Sequence, residues 1–431
     1  MHRRSIPLLV LSVMAPLATA CPSHPSAPGT SGAVASVDPT MTATKTSCPT
    51  ATSCFVSGNV STVGGGVQGL FKGAQVGTDA YLAYQNALGG LDGRKFRLEN
   101  ADDVLSCSAN EAQTATLAPN VIAFTGSFSL VDNCGGQVLA KNPDLPDVSV
   151  TLDPTTAALP TVFSVQPAGV PGMALGPLQY FKTKFPGAVT HAGTLVVNFG
   201  TAPTQWAGEK AAMESIGYRF VFDQTFSPSQ TDFTQQIIAM EQAGVQMVVL
   251  FAINDSYGGA VLKDMAVQGF HPQVVWAGPA MYSGSESTPT VVTDAGGAGA
   301  VNGLYLVQST SLYLGQDARL VPEITTFLQW VHGLYPGFAV DDFTLDGWAS
   351  AELYVDALKR AGPDPTQQTL LAALKTFTTF DADGLLAPAD PAGKVPPSCY
   401  LLAQVRKGVF QRVDMPTSNE FRCDSTFYRA G

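Results

Sequence analysis

The pattern of apolar and small residues between positions 69 and 129 predicts alternating helices and strands. Residues 70–88 carry such residues at helical spacing, and one narrow face of this helix is made of small residues. Gly73 and Gly77 lie on that face. Because glycine weakens a helix interior, we expect this face to pack closely against another backbone. The pattern then predicts a strand at 95–100, a helix at 108–118 and a strand at 121–125.

The same alternation returns along the rest of the chain and predicts a parallel α/β architecture. A length of 431 residues favours two domains. Strands are predicted at 147–152, 194–199, 218–226, 246–251, 273–277 and within 399–413, extended segments at 160–165 and 303–308, and helices at 171–185, 205–216, 258–267 and 341–360.

Composition is typical of a globular protein with a large core. Hydrophobic residues make up 45% and charged residues 13%, and the formal net charge is -11. Lysine and arginine are dispersed apart from Arg3-Arg4, so no basic patch favours a nucleic-acid partner.

The N-terminus has the pattern of an export signal. A positive start at His2-Arg3-Arg4, an apolar stretch at 6–17 and small residues at 18–20 predict a signal peptide over 1–20. The small residues before Cys21 resemble a bacterial lipobox, which implies lipidation of Cys21. The alternative is ordinary secretory cleavage. Residues 21–47, rich in Pro, Ser, Ala, Gly and Thr, predict a flexible spacer between the lipid and the folded chain.

One ordered run of residues resembles a known family. It comprises Gln85-Asn86-Ala87, Gly89-Gly90, Asp92-Gly93-Arg94-Lys95 and Asp102-Asp103. The run looks like the opening of the leucine/isoleucine/valine-binding (type I) periplasmic binding proteins of ABC importers. The resemblance implies two Rossmann-like lobes with parallel-sheet cores joined by a hinge. By this resemblance, the first lobe comprises 48–165 and 303–395 and the second comprises 166–302 and 396–425.

Six cysteines remain after Cys21, an even number that suits disulfides in an oxidising compartment. Six cysteines allow fifteen pairings. The resemblance implies Cys107–Cys134, and elimination and proximity then suggest Cys48–Cys54 and Cys399–Cys423. The sequence has no C-x-x-C pair and its histidines are scattered, so we expect neither a zinc site nor another cofactor.

The first candidate binding segment is Gly126-Ser127-Phe128-Ser129, which follows a predicted strand and precedes a helix. A helix start offers free backbone N–H groups to an anion. The resemblance places the carboxylate of an amino acid ligand at Ser127, Phe128 and Ser129. The alternative is a plain helix cap by either serine.

Further candidates follow other strands, where open α/β sheets bind their ligands. The resemblance implies ligand contacts at Ser149, Thr151, Asp153, Trp206, Asn254, Asp255 and Tyr282. Turn formation at Asp153-Pro154 is an equally good interpretation of that position. The family often carries a glutamate where this chain has Ala280, and this departure weakens the case for a branched-chain amino acid.

Signals for catalysis are absent from the sequence. It contains no G-x-S-x-G or H-E-x-x-H motif. The acid pairs Asp102-Asp103 and Asp341-Asp342 are interpreted as the ends of a strand and of a helix. Gly64–Gly69 matches G-x-G-x-x-G, but the acids at the end of the second strand, Glu99 and Asp102, come about 30 residues after Gly69 instead of about 20, which favours a glycine-rich loop over a dinucleotide site.

These patterns together predict an exported, lipid-anchored, monomeric solute-binding protein without enzymatic activity. It would capture a small polar molecule, such as an amino acid, an amide or a related carboxylate, and deliver it to an ABC permease. A ligand-sensing receptor subunit without transport is the alternative function, followed by an exported α/β enzyme.

Overall fold

The computed structural model describes residues 37–50, 52–66, 69–169, 172–251, 253–285, 287–413 and 420–430. The predicted signal peptide, Cys21 and the first part of the predicted spacer lie outside these residues.

The described residues form thirteen strands and thirteen α-helices. The strands are β1 Cys54–Ser61, β2 Lys95–Asp102, β3 Ala123–Phe128, β4 Asp147–Val150, β5 Gly172–Ala174, β6 Ala192–Val197, β7 Phe220–Phe226, β8 Met247–Leu250, β9 Val274–Ala277, β10 Tyr305–Gln308, β11 Leu401–Arg406, β12 Val409–Arg412 and β13 Phe427–Arg429. The helices are α1 Lys72–Ala87, α2 Cys107–Leu117, α3 Asp132–Ala140, α4 Pro154–Ala157, α5 Leu175–Lys184, α6 Ala202–Ser215, α7 Thr234–Gln242, α8 Asp255–Gln268, α9 Thr290–Asp294, α10 Ala298–Val301, α11 Pro322–Leu334, α12 Asp342–Ala361 and α13 Gln367–Leu374.

The first lobe is built on a parallel sheet with strand order β2-β1-β3-β4. Helices α2 and α3 pack together beside it, while α12 packs on β3 and β4 and against α1. Strands β1, β3 and β4 are buried along nearly their whole length because helices cover the sheet on both faces.

The second lobe is built on a sheet with order β12-β11-β10-β9-β8-β6-β7, and it includes β10, although the resemblance assigned 303–395 to the first lobe. Strands β10, β9, β8, β6 and β7 run parallel, and β11 and β12 form an antiparallel edge. Lys407-Gly408 makes the turn between β11 and β12, with positive φ at both residues. The α/β class, the two lobes and their parallel-sheet cores are therefore confirmed.

The small-residue face of α1 packs against the backbone of α12, as the sequence predicted. A Cβ atom on Gly77 would lie 1.9 Å from the carbonyl oxygen of Thr344, and one on Gly347 would lie 2.2 Å from the carbonyl oxygen of Ala74. Both distances are too short for any side chain. The glycines thus permit a close helix approach that centres the first lobe's core on Trp348, which is fully buried.

Three disulfides form within the described chain, with the pairing that the sequence analysis suggested. Cys107–Cys134 joins the start of α2 to α3, Cys48–Cys54 anchors the start of β1, and Cys399–Cys423 ties the C-terminal segment to the chain before β11.

Ordered structure begins earlier in the chain than the interpretation of 21–47 as a spacer suggests. Residues Ala43–Lys45 form a 3₁₀ turn, and Ala43 is fully buried. The backbone N–H of Thr44 donates to Oδ1 of Asp79 on α1 at 2.8 Å. The part of the predicted spacer nearest β1 therefore packs on the first lobe.

Candidate functional site in the cleft between the lobes

A cavity of about 380 Å³ lies between the two sheets. Its second-lobe side is formed where β6, β8 and β9 end, at Phe199, Phe251 and Ala280. The carboxyl ends of parallel strands are where open α/β sheets bind ligands, because loops diverge there and leave room. The sequence analysis also looked for the site after the ends of strands, where this cavity lies.

The first-lobe wall is aromatic. Phe71, Phe128 and Phe343 all line the cavity and pack on one another, with ring centroids 4.3 Å, 4.7 Å and 5.0 Å apart. The three rings come from the start of α1, the end of β3 and the start of α12. A wall of this kind offers a large apolar surface with little conformational freedom to lose on binding.

The chain crosses between the lobes at one end of the cavity, which we call the hinge end. Here Ser309 Oγ donates to Oε1 of Gln166 at 2.6 Å, and Nε2 of Gln166 donates in return to the Ser309 carbonyl oxygen at 3.0 Å. The two residues follow the outward crossing and the return crossing of the chain. Their paired hydrogen bonds fix the two crossovers to each other.

Several buried polar atoms on lining residues lack a hydrogen-bond partner. Within the described chain these are Thr201 Oγ1, Glu209 Oε2, Trp276 Nε1, Gln308 Oε1 and Asp342 Oδ1. Leaving such an atom unsatisfied costs about 1–3 kcal/mol. Polar groups of a bound molecule would remove this cost, so these atoms mark where a ligand's polar groups fit.

Among the residues that the structure describes, three acidic ones line the cavity: Asp342 and Asp346 on α12, and Glu209 on α6. Burial, and then repulsion from Asp341, raises the pKa of Asp342 to about 7. Burial and repulsion from Asp342 and Asp341 also raise the pKa of Asp346 well above its usual value. Burial alone raises the pKa of Glu209. No Lys, Arg or His is among the described residues that line the cavity.

Two of the residues predicted from the sequence line this cavity. Phe128 belongs to the aromatic wall, and Asn254 lies on the second-lobe side of the cavity. Asn254 also caps α8, since its Oδ1 accepts a hydrogen bond from the backbone N–H of Tyr257 at 3.2 Å. Ala280, noted in the sequence for lacking the family's carboxylate, lines the cavity as well.

Ser127, Ser129, Ser149 and Thr151 line a separate cavity of about 40 Å³ inside the first lobe. Ser127 Oγ accepts from the backbone N–H of Val60 at 3.0 Å, and Ser149 Oγ accepts from the backbone N–H of Ser127 at 3.1 Å. Ser129 Oγ donates to a carboxylate oxygen of Asp103 at 2.5 Å. These serine hydroxyls hold neighbouring segments together.

The segment at 126–129 is not the strand-to-helix turn that the sequence analysis described. Strand β3 continues to Phe128, and α3 begins only at Asp132, without a side-chain cap. The reason is Gly126, whose φ of +66° shifts the register between β3 and β4 and lets the strand resume. Only glycine fits, because a Cβ there would lie 1.9 Å from Thr78 Oγ1.

Asp153, Trp206, Asp255 and Tyr282 do not line the main cavity, and each has a partner elsewhere. Asp153 caps α4 by accepting from the N–H of Thr156 at 2.8 Å, which is the turn role weighed for it. Trp206 is buried in the second-lobe core and donates to Asp223. Asp255 accepts from Ser283 Oγ, and Tyr282 packs on Tyr313. Ligand contact by these residues stays a prediction.

The acids of the cavity were missed by reasoning from the sequence. Asp341 does cap α12, as the interpretation of a helix end expects, but Asp342 faces the cavity. The available signal was the spacing of Asp342 and Asp346, since residues four apart lie on one helix face. Glu209 gave no comparable signal, because its position on a predicted helix does not indicate that a cavity lies beside it.

Within the described residues, no helix is long and apolar enough to span a bilayer, and no group of three or more His, Cys, Asp or Glu is placed to hold a metal ion.

Two α/β lobes that enclose an apolar cleft at their strand ends define a protein that binds a small solute. Residues 58–409 match the family described as Periplasmic binding protein. The match covers most of the chain, and the chain belongs to this family, whose members are extracytoplasmic substrate-binding proteins. A sequence comparison with curated proteins finds no match.

Solved structures of ABC transporter proteins share the fold. A putative branched-chain amino acid ABC transporter from Rhodospirillum rubrum is 21% identical, with 84% of this chain and 100% of that chain covered and a TM-score of 0.60. The fatty acid ABC transporter substrate-binding protein from Thermomonospora curvata is 16% identical, with 88% and 92% covered and a TM-score of 0.67. A solute-binding protein of an ABC transporter from R. palustris, in complex with benzoate, is 17% identical, with 84% and 95% covered and a TM-score of 0.66.

Proposed function

We propose that this chain is an extracytoplasmic solute-binding lipoprotein that captures a small molecule in the cleft and delivers it to an ABC permease. The observation that carries the proposal is the cavity of about 380 Å³ between the lobes, with its apolar lining and its unpartnered buried polar atoms. A volume of this size suits a drug-sized or smaller molecule.

The ligand that suits this cleft has a large apolar part and few polar groups. This revises the sequence-based expectation of a small polar molecule. The rings of Phe71, Phe128 and Phe343 form one wall, and Phe199 and Phe251 lie on the opposite lobe. Burying apolar surface against such walls contributes about 25 cal/mol per Å². Fatty acid and benzoate, named with two of the compared structures, also contain a large apolar part.

Capture depends on closure of the two lobes around the solute. Residues on both lobes line the cavity, so a ligand that touches both walls binds the closed arrangement more tightly than an open one. The population then shifts toward the closed form, which a permease distinguishes from the open form.

Membrane attachment through Cys21 and delivery to a permease complete the proposal. A lipid on Cys21, followed by a short spacer, would keep the binding lobes near the permease. Cys21→Ser is expected to move the expressed protein from the membrane fraction to the soluble fraction. An unchanged distribution would contradict the lipid anchor and leave the binding role intact.

A thermal-shift screen of the purified protein tests the binding role. The panel contains aromatic and alkyl amines, alcohols, amides and carboxylates together with polar amino acids and sugars. A ligand present at 100 times its dissociation constant stabilises the fold by about 2.7 kcal/mol, which gives a clear rise in melting temperature. We expect shifts from molecules with a large apolar part. Shifts from polar amino acids or sugars alone, or from no compound, would contradict the proposal.

A further inference from the structure

We propose that the solute carries a cationic nitrogen attached to an apolar body, and that Asp342 and Asp346 bind this nitrogen at the hinge end of the cleft. The inference rests on the proposed solute-binding function and adds the charge class of the ligand.

The two carboxyl groups lie together on one face of α12. Asp342 and Asp346 are four residues apart, one helical turn, and both line the cavity. Phe343, between them in sequence, belongs to the aromatic wall. Thus the acidic pair and the apolar wall adjoin, and a molecule with a cationic head and an apolar body would contact both.

Unpartnered acceptor atoms lie beside this pair. Oδ1 of Asp342 and Oε1 of Gln308 are buried without a hydrogen-bond partner. The Gln308 side chain cannot usefully flip, because its Nε2 already donates to the carbonyl oxygens of Thr310 at 2.9 Å and Ser311 at 3.0 Å. The side-chain hydroxyl of Thr310 in turn lies beside Asp342 and favours its ionised form. When Asp342 is ionised, both free atoms accept hydrogen bonds, so donors on a ligand would satisfy them.

The charges around the pair favour a cation and disfavour an anion. The charged neighbour that acts on both Asp342 and Asp346 is Asp341, and Asp342 also acts on Asp346; all of these groups are acidic. No lysine, arginine or histidine among the described lining residues offsets them. A carboxylate ligand would bring further acceptors and negative charge to this place.

An ammonium group would relieve both causes of the raised pKa values of this pair. Burial penalises the charged carboxylate, and a neighbouring negative charge penalises it further. A cation in contact with the pair attracts the ionised form and donates charge-assisted hydrogen bonds, which are about twice as strong as neutral ones. The N-terminus of α12 also favours a negative side chain at Asp342.

Three probes that share one apolar body test the inference: 4-phenylbutylamine, 4-phenylbutanol and 4-phenylbutyrate. Their dissociation constants from the full chain are measured by isothermal titration calorimetry at pH 7. We expect the amine to bind at least about tenfold more tightly than the alcohol, and the carboxylate to bind most weakly, because a charge-assisted hydrogen bond is about twice as strong as a neutral one. Equal binding of the three, or tightest binding of the carboxylate, would overturn the inference.

Substitutions locate the charge preference at the acidic pair. Asp342→Asn and Asp346→Asn keep the shape of each side chain and remove its charge, and each is expected to lower the amine's affinity at least about tenfold while leaving the alcohol nearly unchanged. Asp356→Asn is the matched control, since Asp356 lies on the same helix and pairs with Lys359 at the surface. An equal loss in the control, or no loss in either cleft variant, would overturn the assignment.

The same experiment separates failure of the inference from failure of the proposed function. If the alcohol and the carboxylate bind as well as the amine, the proposed solute binding is supported and the proposed cationic group of the ligand is contradicted. If none of the three probes binds and the broader thermal-shift panel is also silent, solute binding in this cleft fails and the inference fails with it.

Discussion

Nε2 of Gln205 donates a hydrogen bond to the carbonyl oxygen of Leu152 at 2.6 Å, and this bond crosses the cleft. Gln205 lies on α6 of the second lobe, and Leu152 follows the last strand of the first-lobe sheet. Gly200, at the same edge, approaches Leu130 so closely that a Cβ would lie 2.6 Å from its carbonyl oxygen. The lobes therefore touch here as well as at the paired crossovers of Gln166 and Ser309.

Removing this bridge should open the cleft. Gln205→Ala eliminates the donor, so the ligand-free protein is expected to populate open forms more and to show a larger radius of gyration in small-angle X-ray scattering. The melting temperature should change little, because one hydrogen bond contributes only about 1 kcal/mol. Gln179→Ala, on the exposed side of the second lobe, is the control. Identical scattering from both variants would contradict a bridging role for Gln205.

The close approach of α1 and α12 should make Gly77 intolerant of a side chain. Gly77→Ala would place a methyl group 1.9 Å from the Thr344 carbonyl oxygen, and the helices would have to separate. We expect a loss of at least about 2 kcal/mol of unfolding free energy in urea titrations, at the upper part of the range for overpacking.

Gly299→Ala is the matched control for this substitution. Gly299 lies inside the short helix α10, and a Cβ there would meet no atom within 4 Å. The change should leave stability unaltered or raise it slightly, since alanine favours helices. Equal effects of the two substitutions would show that the loss at Gly77 does not come from the packing of α1 on α12.

The disulfide between α2 and α3 should stabilise the first lobe more than the one before β1. Cys107–Cys134 closes a loop with a sequence separation of 27, and Cys48–Cys54 one with a separation of 6. Loop-closure entropy then gives roughly 3.5 kcal/mol for the first and roughly 2 kcal/mol for the second. The double alanine variants of each pair, compared by urea unfolding, test this order. A larger loss at Cys48–Cys54 would contradict it.

Buried acids should make the protein more stable at mildly acidic pH than at alkaline pH. Burial is the largest cause that raises the pKa of Asp132 and of Asp255 to about 7, and of Asp147 to about 6. In the unfolded chain these acids titrate near 3.8. The folded state thus holds more protons between about pH 4 and pH 7, so the free energy of unfolding falls as pH rises through this window.

Melting temperatures at pH 5 and pH 8 check the sign of this dependence. We expect a value several degrees higher at pH 5. Asp132→Asn should narrow the difference, because it removes one titrating group while its amide oxygen can still accept from the backbone N–H groups of Leu152 and Asp153. A higher melting temperature at pH 8 would contradict the burial of neutral acids in the fold.

The β/α units followed from local patterns and the two-lobe arrangement from the family resemblance, but the chemistry of the cleft followed from neither. Helix periodicity and the small residues Gly73 and Gly77 were enough to predict the first β/α units and their close packing, because both are local properties of the chain. The binding segment at 126–129 failed as a turn because the strand continues beyond Gly126, whose left-handed backbone conformation only the folded sheet reveals.

The cavity depends on residues that are distant in sequence. Gln308 comes from the second sheet, Asp342 from a first-lobe helix and Glu209 from α6, and no spacing rule connects the three. Trp206 shows the same limit: the family resemblance suggested ligand contact there, and the sequence alone could not indicate that its ring is buried in the core of the second lobe. Whether a side chain lines the cavity depends on its burial and on contacts between the lobes, which the sequence does not show.

Calorimetric titration of a cleft-filling variant tests the central claim, that the solute binds between the lobes. The ligand is the compound that gives the largest thermal shift, and the variants are Ala280→Trp, which fills the cleft, and Ala266→Trp, at an exposed position of α8. The account predicts one binding site in the unaltered protein, the same affinity in Ala266→Trp and no binding in Ala280→Trp. Undiminished binding in Ala280→Trp would place the solute elsewhere and contradict the account.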